Sequence, residues 1–110
     1  MQTIEKYIEA LENRDFNELG ELFTKDGLYI DYSASRAGEH EYYLYGKEAI
    51  SMFFRNKFLF CKYSILEPAV LNSRQAEYIA LFDNYSVMAI VNLQQLSEDG
   101  HIRRLTVRPK

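Results

Sequence analysis

Cysteine, proline and tryptophan are scarce here: one Cys (Cys61), two Pro and no Trp in 110 residues. A lone cysteine closes no internal disulfide, so no oxidising compartment is required. Long apolar runs are missing too. Nothing approaches the roughly 20 residues that span a bilayer, and the N-terminus lacks the basic-then-apolar pattern of a secretory signal. A net charge of -3 leaves no positive surplus to neutralise phosphates, which argues against nucleic acid. Gly-rich phosphate loops and zinc-ligand spacings are also absent, so no cofactor and no metal are expected. These absences point to a soluble cytoplasmic protein forming one domain over residues 1–110.

What is plentiful is aromatic. Nine Tyr and seven Phe stand in a chain that is 47% hydrophobic and 26% charged. The chain is organised around Lys6–Tyr32. Ile4, Ile8 and Leu11 recur at helical spacing, with Tyr7 on the flank of the stripe. Asn13-Arg14-Asp15 breaks the pattern, and Asp15 suits the N-cap of a second helix carrying Phe16, Leu19, Leu22 and Phe23. Asp26-Gly27 reads as the stop of that helix. From Leu28 the period becomes two, with Tyr29 and Asp31 on one strand face and Leu28, Ile30 and Tyr32 on the other.

Ser33 opens a long loop that holds His40 and ends in a short aromatic strand, Glu41–Tyr45. Ile50, Phe53, Phe54 and Phe58 then mark a third helix. Strand texture follows. Phe60–Leu71 carries Pro68, which implies a bulge or an edge. Asn72-Ser73-Arg74 turns into Ala76–Phe82, and Asp83-Asn84 turns into Ser86–Leu96. Ser97-Glu98-Asp99-Gly100 closes a hairpin into His101–Arg108. Helices first and antiparallel strands after make an α+β fold: three helices of the N-terminal half packed on a curved, mostly antiparallel sheet. The cone-shaped space between them is either an aromatic-lined apolar pocket or is filled by the same rings.

This order of elements resembles the nuclear-transport-factor-2-like, or SnoaL-like, superfamily over nearly the whole chain. The cues are YIEALENRDFNELGELFTKDGLYID, YGKEAISMFF and LSEDGHIRRLTV. The front segment is most similar to the ketosteroid isomerases, and the resemblance implies a set of roles. Tyr7 falls at the oxyanion-donor position, Asp31 at the proton-shuttling base, and Asn92, counted back from the Glu98-Asp99-Gly100 turn, at the second donor. Shifting a double bond beside a ketone needs a base that takes a carbon-bound proton and returns it elsewhere, and donors already aimed at the enolate oxygen. Phe23 and Phe54 stand where the isomerases often place supporting tyrosines, a departure that removes two hydroxyls.

Each candidate has a plainer reading. Asp31 could be a solvated or capping carboxylate, and Tyr7 a core tyrosine. Asn92 interrupts SVMAIVNLQQL on the face of Met88 and Ile90, where an amide must be paired or aimed at a ligand. Tyr29, Phe54, Met88 and Ile90 are the expected ligand-binding residues, and the expected ligand is a small hydrophobic molecule. His40, between Glu39 and Glu41, reads as exposed, since adjacent side chains point apart on an extended segment and make a poor metal site. Cys61 reads as a buried structural thiol, and Arg103, Arg104, Arg108 and Lys110 as a solvated strand edge. The late strands are apolar on both faces, while helices cover only one side, so a homodimer through the outer sheet face is expected. Three functions remain open: a cofactor-free isomerase, cyclase or dehydratase, a non-catalytic binding module, or a dimeric interaction protein.

Overall fold

The computed structural model describes residues 1–33, 40–83 and 85–110. Two short helices, α1 (Thr3–Glu12) and α2 (Phe16–Glu21), meet at a tight joint. Arg14 takes a left-handed conformation there, with φ of 55°, and Asp15 caps α2 by accepting from the Glu18 N–H at 3.1 Å. A third helix, α3, runs Lys47–Phe60. The strands are β1 (Phe23–Asp31), β2 (Tyr42–Tyr45), β3 (Ser64–Val70), β4 (Gln75–Leu81), β5 (Ser86–Leu96) and β6 (Ile102–Pro109). They form one sheet in the order β2-β1-β6-β5-β4-β3, antiparallel except where β1 lies parallel to β6. The helices pack on one face of this open, curved sheet, and a single core cluster joins them to the strands. This is the α+β, cone-like arrangement read from the sequence.

Three boundaries differ from the sequence reading. Gly27 does not stop a helix: α2 ends at Glu21, and β1 begins at Phe23, which pairs with Ile102. A Cβ on Gly27 would lie 2.9 Å from the Ile102 carbonyl oxygen and 3.0 Å from the Phe23 ring, so close strand contact requires glycine there. α3 extends through Phe60, which shortens the following strand to Ser64–Val70. Cys61 caps α3 and is exposed, not buried. Pro68 sits as expected on an edge strand, where the register shifts between Leu66 and Ala69. Residues 34–39 of the long loop, Glu39 among them, and Asn84 of the late turn lie outside the described residues. No helix among the described residues is long and apolar enough to cross a membrane.

Candidate functional site

The register assigns every strand residue to a face. Tyr29 pairs with Leu105, which pairs with Leu93, and Asp31 pairs with Val107, then Val91, then Ala76. All of these are buried on the helix-covered inner face. Tyr78, flanked by Ala76 and Ala80, faces the same way. Tyr7 enters from α1 and is fully buried, while Tyr63 enters from the turn between α3 and β3. Four tyrosines and one aspartate therefore share an interior otherwise made of hydrocarbon.

Asp31 is 5% exposed and accepts three hydrogen bonds. The Tyr29 hydroxyl donates to Oδ2 at 2.9 Å; the Ser33 N–H and hydroxyl donate to Oδ1 at 2.8 and 2.5 Å. The two Ser33 bonds form a local turn of the kind aspartate commonly makes at a strand end. Burial pushes the phenols of Tyr7, Tyr29, Tyr63 and Tyr78 well above the usual tyrosine range, and the Asp31 charge raises all four further. They are therefore neutral hydrogen-bond donors at any ordinary pH. The Tyr29 hydroxyl is near enough to ease a charge on Tyr7, yet Tyr7 Oη makes no hydrogen bond of normal geometry and is fully enclosed. Aromatic neighbours fix the rings: Phe54 lies 5.3 Å from Tyr29, edge-on, and Phe53 lies 5.6 Å away.

Tyr7, Tyr29, Asp31 and Phe54 thus come together. Asn92, Met88 and Ile90 do not, and here the sequence reading is corrected. Asn92 pairs with Thr106 on β6 and Gln75 on β4, on the face opposite Asp31. β5 buries Val87, Ala89, Val91 and Leu93 and turns its even-numbered residues outward, leaving Met88 52% exposed. An amide on that face cannot reach an enolate beside Tyr7. Sequence reasoning also missed Tyr63 and Tyr78. The alternation Ala76-Tyr78-Ala80 was the available signal, since small residues beside a tyrosine leave room for its ring. The two hydroxyls missing at Phe23 and Phe54 have counterparts in these tyrosines, supplied from other elements.

Elsewhere the candidates are plain. His40 is exposed; His101 Nδ1 lies 3.2 Å from Asp99 on the surface. Among the described residues no group of three or more His, Cys, Asp or Glu is placed to share a metal ion. A surface depression of 660 Å³ runs between α2 and α3 past Gly20, Lys47 and Met52, away from Asp31.

No family model and no curated protein sequence matches this chain. Solved structures do. A protein from Sphaerobacter thermophilus superposes with a TM-score of 0.71 at 17% identity, covering 98% of this chain and 93% of its own. A structure described as a putative ketosteroid isomerase from Kribbella flavida gives 0.67 at 17% identity, covering 96% and 73%. The Orange Carotenoid Protein of Anabaena, binding canthaxanthin, gives 0.67 at 21% identity, covering 97% of this chain but 35% of that one. At such identities the likeness speaks for the fold. The chain has the cone-like α+β fold of the nuclear-transport-factor-2-like, SnoaL-like superfamily, with ketosteroid-isomerase-like proteins among its structural neighbours.

Proposed function

We propose that this domain binds a small hydrophobic carbonyl compound between the helices and the inner sheet face and moves a proton on it. Asp31 is the base and Tyr7 the oxyanion donor. The observation that carries the reading is the buried constellation itself: a carboxylate, with four neutral phenols drawn from α1, β1, β4 and the turn after α3. A core gains nothing from collecting such groups, because an enclosed hydroxyl without a partner costs about 1–3 kcal/mol. Tyr7 carries that cost, and an oxyanion would remove it. A carboxylate taken out of water and still holding a lone pair on Oδ2 is equipped to accept a carbon-bound proton. Donors already in place need no rearrangement when the enolate forms. Tyr29 and Phe54 form the apolar wall, and no cofactor has a part in the reading. The compartment proposed is the cytoplasm.

The test is conjugated-enone formation from a β,γ-unsaturated ketosteroid, followed by ultraviolet absorbance, in wild type and Asp31→Asn. Turnover in wild type that falls by about two or more orders of magnitude in the mutant is expected. A mutant as fast as wild type would sink the mechanism.

A second reading has its own support. Asp31 Oδ1 is already occupied by both Ser33 donors, and one structural neighbour is a carotenoid-binding protein. A non-catalytic hydrophobic-ligand module predicts that Asp31→Asn binds ligand as wild type does and that neither form turns substrate over. We also propose a homodimer through the outer sheet face, where Met88, Ile79 and Leu66 form an apolar stripe across three adjacent strands.

A further inference from the structure

Lys57 is a cation inside the protein. It stands in the last turn of α3 and is 7% exposed. Its Nζ donates to the Tyr42 hydroxyl at 3.1 Å and lies 4.7 Å from the Tyr42 ring centroid, 5.4 Å from Phe82 and 5.7 Å from Phe53. A lysine near a helix C-terminus gains its interaction with the last carbonyls equally well from the surface. Helix electrostatics therefore do not explain why this one is enclosed. Ring faces attract an ammonium and hold it in place, while its three donors stay free to rotate toward a partner.

The cage lies one layer of rings from Asp31. Phe53 packs 5.6 Å from Tyr29, whose hydroxyl meets Asp31, and Phe82 packs 5.4 Å from Tyr63. Tyr42 is the direct cross-strand neighbour of Asp31. Tyr42, Phe53 and Phe82 are each half-buried, which puts the ammonium at the rim of the site and the tyrosines at its floor. We propose that Lys57 is an anion-binding residue of this site, so that the ligand is an oxo acid: its carboxylate meets Lys57 while its carbonyl reaches Tyr7 and Asp31. This rests on the carbonyl-compound reading above. A single ammonium, in a sequence with no Gly-rich phosphate loop, suits a monoanion better than a phosphate. The carboxylate would be the binding handle, held well away from the Asp31 charge, and the apolar body between the two anchors would lie against Tyr29 and Phe54.

The experiment is calorimetric titration with benzoylpropionate and with its methyl ester, against wild type, Lys57→Met and Lys57→Arg. Wild type is expected to bind the acid about tenfold or more tightly than the ester, the share of a charge-assisted hydrogen bond. Lys57→Met should erase that preference without weakening ester binding, and Lys57→Arg should keep it. Equal wild-type affinity for acid and ester would mean that the protein itself already neutralises the ammonium; it sinks the inference and leaves the carbonyl-site reading standing. A preference that survives in Lys57→Met also overturns it. If neither compound binds wild type, both the inference and the reading beneath it fall. Should Lys57→Met not fold, the wild-type ratio alone decides.

Discussion

The two faces of β5 look alike in the sequence and do different work in the fold. One carries Met88, Ile90 and Asn92; the other carries Val87, Ala89, Val91 and Leu93. The inner face lies under the helices against buried rings, while the outer face keeps an exposed methionine and, one strand away on β6, the fully enclosed hydroxyl of Thr106. Both faces also hold aromatic and charged neighbours. Inside, Tyr29 meets Asp31; outside, Arg108 stacks 4.7 Å over Tyr32, and Lys110 pairs with Glu77 at 2.6 Å. The lesson is that hydropathy does not tell a core face from a contact face. Pairing does, because each residue inherits the face of its cross-strand partners.

The sharpest way to break this comparison is truncation. Phe54→Ala, beneath Tyr29, should cost about 3–5 kcal/mol in denaturant melts. Met88→Glu should change monomer stability by no more than about 0.5 kcal/mol, the usual range for a surface site. Light scattering should show that the same Met88→Glu substitution shifts a dimer to a monomer. An outer face that tolerates the charge and keeps its mass would rule out the proposed interface.

Alkaline titration comes next. The folded pKa values of Tyr7, Tyr29, Tyr63 and Tyr78 are raised above their unfolded values, chiefly by burial. Their contribution to stability is thus complete below about pH 10 and is lost as pH rises beyond it. Tyrosinate absorbance should therefore show these four ionising only together with unfolding, and Tyr78→Phe should remove one from that step. Smooth, independent ionisation of all nine tyrosines would contradict the buried cluster.

The smallest effects concern single enclosed oxygens. Tyr7→Phe and Thr106→Val each remove a hydroxyl with no hydrogen-bond partner, so each should leave stability unchanged or raise it by about 1 kcal/mol. The faces then part: Tyr7→Phe should slow any turnover, while Thr106→Val should not. Equal turnover in both would remove Tyr7 from the mechanism.

The sequence was informative wherever one element sufficed. The stripe of α1, the Asp15 cap and the alternation of Tyr29 with Asp31 are local patterns, and each is where it was read. Asn92 went to the wrong side because its position relative to Asp31 depends on two intervening strand pairings, which no period within β5 reports. Gly27 was misread for a similar reason: a glycine after a helical stretch resembles a stop, and only the approach of the Ile102 carbonyl reveals the strand. Lys57 drew no notice because one lysine among the aromatics of a helix reads as its solvated side. Tyr63 and Tyr78 arrive from distant segments, so their meeting near Asp31 is a property of topology.

That topology has a consequence for the timing of assembly. The strand that holds Asp31 takes its inner neighbour from residues 102–109. While the chain is being made, β1 has only β2 for company, and the wall opposite Asp31 does not exist. Pairings between such distant segments pay their loop-closure entropy before any contact rewards them, which slows folding. The carboxylate therefore stays in water until nearly the whole chain has been synthesised. It is desolvated in the same late step that completes the sheet, so no partly folded form has to bear the buried charge alone.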